Sequence, residues 1–329
     1  MLEGRGLHMR PGEANELAEK LGDLPLALEQ AALWCRSTAM PVSEYIELLD
    51  SHSRTDLLSE SKPYGYPVTV TAFVTLASET LRATAPASAQ LFELLSFLSG
   101  EPVSLNLLSR GRSADVTEPL RSTLNDPVKL SRVVRDLNNR GLAKVDPAQR
   151  IQVHRLVQDI LRDILPPDLA RTTLRNTQRL LAEANPGDPD ELGGLDVQAE
   201  LGPHLDRAQM IYGDEEAVLK TVLDHTRSLY MIGDYENSLR LATEAAQEWA
   251  KPTDDPERGP NGLATLRARS MMANALRVLG KATEAAELAR DTYDRMCASP
   301  GSVSCTSSPS STPTRSATTC ASRGSTATP

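Results

Sequence analysis

Residues 130–161, LSRVVRDLNNRGLAKVDPAQRIQVHRLVQDIL, decide the architecture of this chain. Val133, Val134 and Leu137 recur at helical spacing, which predicts a helix from about Leu130 to Arg140, and Gly141 is its expected cap. Leu142-Ala143-Lys144-Val145 and Ile151-Gln152-Val153 are short apolar runs around the turn Asp146-Pro147-Ala148-Gln149, which predicts a hairpin. A further helix then runs through Leu156, Ile160 and Leu161 until Pro166-Pro167 stops it.

Upstream, Val68-Thr69-Val70-Thr71 alternates like a strand, but the spacing of Phe73, Leu76 and Leu81 favours a helix. Pro86 opens a clearer helix with Leu91, Leu94, Leu95 and Leu98 inward and Gly100 at its end. Helices, a third helix, a hairpin and a closing helix, over residues 68–165, follow the order of a winged helix.

Residues 11–62, within a first segment of 1–62, read as wholly helical. Pro11 can start the first helix, Leu17 and Leu21 lie on its inner face, and Gly22 ends it. A second begins at Pro25 and runs through Leu33 and Trp34. A third places Val42, Tyr45, Ile46 and Leu49 on one face. The turn-rich SESKPYGYP, 59–67, is the first boundary.

Residues 168–297 are helical and repeat. Leu229-x3-Gly233-x-Tyr235-x6-Ala242-x2-Ala245 recurs, loosened, as Leu276-x3-Gly280-x-Ala282-x6-Ala289. Each marks a tight turn between antiparallel helices with small residues in the seam. The Asp-, Pro- and Gly-rich linker Lys251–Gly262 accounts for the length of the repeat. Leu174, Leu180, Leu181, Leu201, Leu205 and Ile211 supply further helical pairs on the N-terminal side, and the last helix, with Leu288 and Tyr293, is expected to fray or associate.

Residues 298–329 are mostly Ser, Thr, Ala and Pro, without leucine, isoleucine or acidic residues, and are expected to be disordered. The abrupt switch inside an unfinished repeat is what a frameshift produces in a GC-rich gene. Arginine over lysine, 28 to 7, points to such a gene.

Leu21-Gly22-Asp23-Leu24-Pro25-Leu26-Ala27-Leu28 resembles the GLPL motif of the NB-ARC family of signal-transduction ATPases (STAND proteins), with Asp23 where the motif's first glycine usually stands. Val153-His154-Arg155, at the end of the hairpin, resembles that family's MHD motif, with Val153 and Arg155 replacing methionine and aspartate. The glycine-centred repeats resemble tetratricopeptide repeats (TPR). The order resembles bacterial NB-ARC/TPR proteins of actinobacterial type. The resemblance implies a mainly α fold: an ARC-like helical segment, a winged helix with a short β-hairpin, and a partial TPR α-solenoid. It also implies that Pro25 packs on a nucleotide base and His154 reads the β-phosphate of ADP in a complete relative.

A nucleotide switch needs a glycine-rich loop with lysine and Ser/Thr to cradle phosphates and magnesium. The pattern G-x4-G-K-[ST] does not occur, so no ATPase activity and no cofactor are expected of this chain alone; ADP or ATP with magnesium belongs to a complete relative, of which the chain reads as the C-terminal remainder. His8, His52, His154, His204 and His225 have no paired metal-ligand spacing, and Ser113/Asp115 and His154/Asp159 are better read as surface or capping residues than as catalytic fragments.

The function expected is that of a regulatory protein acting as a protein–protein interaction module. Stacked helix pairs leave a concave surface lined by the first helix of each repeat. Aligning the turn glycines puts Arg227, Tyr230, Arg267, Asn274 and Arg277 near it, where they can bind a peptide's carboxylates and backbone. The alternative is a transcriptional regulator whose winged helix reads DNA through Arg132, Arg135 and Asn139, helped by Lys144 and Arg150. Asp136 and Asp146 interrupt that patch, and the net charge of −9 over 329 residues argues against general nucleic-acid binding. No stretch of about 18 apolar residues and no signal peptide is present, and the four cysteines form no disulfide framework. A cytoplasmic location without membrane partners is expected.

Overall fold

Helix dominates the described residues, with one small sheet among them. The computed structural model describes residues 12–20, 25–48, 68–253 and 255–298. The 59–67 boundary, Pro11, Leu21, Gly22, Leu49 and the 299–329 tail therefore lie outside the described residues. None of the described helices is long and apolar enough to cross a membrane.

Helices α1 (Glu13–Lys20), α2 (Pro25–Thr38) and α3 (residues 42–48) bury Leu17, Trp34, Val42, Tyr45 and Ile46. Pro25 stands at the first position of α2, where its missing N–H would have no helical partner.

The strand-like start at Val68 is helical, in α4 (Val68–Thr84), because burying Phe73, Leu76 and Leu81 on one side outweighs the β-branched preference. Helix α5 (Pro86–Ser96) follows, and the two are tied by Arg82 Nε donating to Glu93 Oε1 at 2.6 Å. Helix α5 ends at Ser96 rather than at Gly100; Leu98 is buried beyond its last turn.

Next come β1 (Val103–Ser104), α6 (Leu105–Arg110), α7 (Leu120–Leu124), α8 (Pro127–Asn139), β2 (Lys144–Val145), β3 (Arg150–Gln152) and α9 (Arg155–Ile164). The strands pair antiparallel in the order β1-β3-β2, with Ile151 opposite both Val103 and Val145 and fully buried. The hairpin and its 146–149 turn stand where the sequence predicts them. Gln149 takes the left-handed conformation at φ 58°, and Asp146 Oδ1 accepts the Arg150 N–H at 2.9 Å. Helix α8 starts three residues before Leu130: Asp126 caps the N–H groups of Val128 and Lys129, and Pro127 occupies the first turn. Strand β1 was not expected, since two residues carry no alternation.

Helices α10 (Pro167–Ala184), α11 (Pro189–Leu192), α12 (Leu195–Leu205), α13 (Glu216–Met231), α14 (Tyr235–Trp249), α15 (Leu263–Val278) and α16 (Ala282–Ala298) complete the described chain. The α13–α14 and α15–α16 turns close alike. Gly233 and Gly280 have φ +87° and +82°, and the next N–H in each, of Asp234 and Lys281, donates at 2.9 Å to Leu229 O and Leu276 O. Ala242 and Ala245 are buried in the seam as predicted. Ala289, expected to match Ala242, is exposed instead; α15 covers α14, whereas no described helix covers the corresponding face of α16.

Polar contacts join the sheet-bearing unit to the helices after it. His204 Nδ1 lies 2.9 Å from Ser99 Oγ, and Glu200 accepts the Ser104 N–H at 2.8 Å. Within the unit, Gln158 of α9 donates to the carbonyl of Leu95 at 2.8 Å. Gly111 packs so closely on α10 that a Cβ there would stand 2.7 Å from Leu180 O.

Candidate functional site

The end of the hairpin, where His154 lies, borders a cleft of about 800 Å³. The C-terminal turn of α8 contributes Asn138 and Asn139, the sheet Lys144 and Gln152, the start of α9 His154 and Arg155, and α2 Arg36. Helix α2 is held there by Arg140, which stacks 5.5 Å from the Trp34 ring while its Nε donates to Asp136 Oδ1 at 2.7 Å. Gln152 Nε2 donates to Gly100 O at 2.6 Å, fixing the floor beside β1.

His154 caps α9. Its backbone is extended, and Nδ1 accepts the Leu156 N–H at 3.2 Å, satisfying one of the free donors of the first turn. In the neutral ring, that leaves Nε2 as a donor on an exposed side chain. Arg36, Lys144 and Arg155 are exposed around the same cleft, against one acid, Glu101. Such a lip can hold an oxyanion, such as a phosphate or carboxylate, by charge-assisted hydrogen bonds. Sequence reading found His154 but not Arg36 or Glu101, which only the packing of α2 and β1 brings to it. Pro25 opens α2, and its side chain lies outside the described residues.

The acids of the two pairs that the sequence reads as surface or capping residues are engaged in ion pairs. Asp115 pairs with Arg121 and Arg179, and Asp159 with Arg162 and Arg207. Among the described residues, no group of three His, Cys, Asp or Glu side chains could hold a metal. His204 and His225 are buried, and desolvation pushes both down to about 4, against the opposing pull of Glu200 and of Asp206 respectively. His8 and His52 lie outside the described residues.

The residues expected on a partner surface fall into two groups. Arg227 is half-buried and engaged: Nε and Nη2 donate to the two carboxylate oxygens of Asp190 at 2.6 and 2.8 Å, with the guanidinium 5.1 Å from the Tyr230 ring. Tyr230 meets Tyr235 edge-on at 5.1 Å. Of these two residues, both expected on an open surface, Arg227 is thus engaged by Asp190 of α11, a long-range contact that helix spacing does not reveal, and Tyr230 packs against Arg227 and Tyr235. On α15, Arg267 and Arg277 are exposed, and Arg277 Nη2 donates to Asn274 Oδ1 at 2.8 Å.

The basic patch expected on α8 and the hairpin is more open than the sequence suggests. Arg132, Arg135, Asn139 and Lys144 are all exposed. Asp136 does not interrupt them; it turns inward to Arg140 and to Ser88, whose Oγ donates at 2.7 Å. Asp146 is engaged with Arg150 at 2.7 Å. Comparison of the chain with protein-family models, with curated proteins and with solved structures finds no match in any of the three.

Proposed function

We propose that the protein is a regulatory, signal-transduction component of NB-ARC/TPR type that acts by binding protein or peptide partners. In this reading residues 68–165 are a winged helix, the segment around α2 is ARC-like, and the helices after Pro167 are a partial TPR solenoid. The observation that carries it is the pair of helical hairpins closed by the same glycine geometry 47 residues apart, at Gly233 and Gly280, behind a sheet-bearing unit whose exposed His154 sits on a basic cleft. In a complete relative the phosphates of ADP would meet His154 and the base would meet Pro25; alone, the chain binds partners in the cytoplasm and turns over no ATP.

The test is recovery of partners from the source cells with the full chain and with a chain ending before α15. Partners held by the full chain, and by its H154A variant, should be lost on removing α15 and α16. Retention after that removal, or magnesium-dependent ATP hydrolysis by the purified chain, would sink the reading.

A second reading, direct DNA binding, is favoured by one feature: Arg132 and Arg135 are exposed on α8 with the nearby acids turned away. Salt-dependent duplex binding abolished by replacing both arginines would establish it.

A further inference from the structure

A second cleft, of about 610 Å³, lies where the sheet-bearing unit meets α10, and it shares no lining residue with the cleft at His154. Helix α10 brings Arg171, Arg175 and Gln178 to it at i, i+4 and i+7, the spacing of one helix face. Residues 209–214 supply another wall, a turn whose backbone is fixed at three points. Gln209 is left-handed at φ 51°, Trp249 Nε1 donates to Ile211 O at 2.7 Å, and a Cβ on Gly213 would stand 2.5 Å from Val218. Within this tied turn Tyr212 is 64% exposed, a large ring that the fold presents rather than buries.

The polar lining is of both signs. Gln178 is 8% exposed, and its Nε2 donates to the carbonyls of Ala208 and Gln209, each at 3.0 Å. That fixes the amide and leaves Oε1 without a hydrogen-bond partner among the described residues. Asn176, 6% exposed, donates from Nδ2 to Thr117 Oγ1 at 2.9 Å, and its Oδ1 is left in the same way. Arg175 and Asp214 face each other at 3.3 Å, too long for a closed charge-assisted bond, with both side chains more than half exposed. Arg179 differs: it is engaged with Glu215 at 2.7 Å and with the Asp115 carbonyl at 2.8 Å, and so ties the walls together.

We propose that this cleft binds a small zwitterion, an α-amino acid with an aromatic or apolar side chain. Its carboxylate pairs with Arg175, its ammonium with Asp214 and the free oxygens of Gln178 and Asn176, and its side chain lies against Tyr212. A simple anion would use Arg175 alone and bring its charge beside Asp214 and two oxygens that need donors. An ammonium gives those oxygens the donors they lack, and each end of a zwitterion replaces the weak contact that Arg175 and Asp214 now make with each other. A volume of about 610 Å³ is ample for such a molecule. The site stands apart from the partner-binding reading above and does not depend on it.

The probes are phenylalanine, tryptophan and leucine, titrated calorimetrically into the full chain, each beside its N-acetyl and its carboxamide derivative. Those derivatives keep the side chain and lose one charge, so this arm needs no variant to fold. Saturable binding of at least one free amino acid is expected, with a rise in melting temperature, and binding at least about tenfold weaker for both of its derivatives. R175Q and D214N should each weaken it at least about tenfold, and Y212A should weaken an aromatic ligand more than leucine. H154A, at the other cleft, should bind as the unmodified protein does. Circular dichroism melts without ligand show whether each variant is folded. The proposal is overturned if none of the three amino acids binds saturably up to about 10 mM, or if the derivatives bind as tightly as the parent. Binding that survives in folded R175Q and D214N, or inorganic phosphate binding more tightly than any of the amino acids, would overturn it as well.

Discussion

Acid should loosen this protein through two histidines. His204 and His225 are 1% and 8% exposed, and burial lowers each from about 6.5 in the unfolded chain to about 4 in the folded one. A depressed histidine contributes stability in full above its unfolded value and loses it as pH falls toward its folded value. Between those limits the unfolded chain binds up to two more protons than the native one. Stability should therefore fall by about 2 kcal/mol per pH unit between about pH 6 and pH 5, and by roughly 6 kcal/mol over the whole window. Glu93, raised by burial against the pull of Arg82, works in the opposite direction, taking up a proton in the native state first, so it offsets part of the loss. Asp190 and Asp255 are lowered and act only below their unfolded value of 3.8, outside the steep part of the window. The assay is urea unfolding by circular dichroism at several pH values, comparing the protein with its H204Q/H225Q variant. The slope with pH is the readout, because glutamine can change stability at neutral pH for reasons of packing. A variant whose slope matches that of the unmodified protein, or an unmodified protein that gains stability from pH 6 to pH 5, would refute the reasoning.

Other expectations follow from single contacts. G202A should destabilise by about 1–3 kcal/mol in urea melts, since a Cβ there would stand 2.5 Å from the His225 ring, itself wedged in the core. Q158L should cost about 1–3 kcal/mol by the same assay, because it strips the carbonyls of Leu95 and Ser99 of a buried donor. Cys35, buried and pushed up to about 12, should resist alkylation at neutral pH until the chain is unfolded, as peptide mass mapping would show.

The parts of the fold that were legible in the sequence are those written in local chemistry. The turn at 146–149, the caps at Gly141, Gly233 and Gly280, and the helical spacing of Phe73, Leu76 and Leu81 each follow from a few neighbouring residues. Strand β1 was not legible, for its two residues become strand only by pairing with β3. The start of α8 was written in Asp126-Pro127 but hidden behind the stronger signal of Leu130 and Val133. At the candidate sites the split is the same. His154 announced itself by its place after a hairpin strand, whereas Arg36 reaches the cleft only because Trp34 stacks under Arg140. Helix spacing put Arg227 and Tyr230 on a shared face, and only the folded chain reveals that Asp190 already occupies it.

The most direct test of partner binding through the helical repeats is hydrogen exchange of the full chain, free and in complex with a partner recovered from its source cells. The account predicts new protection along α15, residues 263–278, and little change over 127–152. Protection confined to α8 and the hairpin, with α15 exchanging as in the free chain, would contradict it.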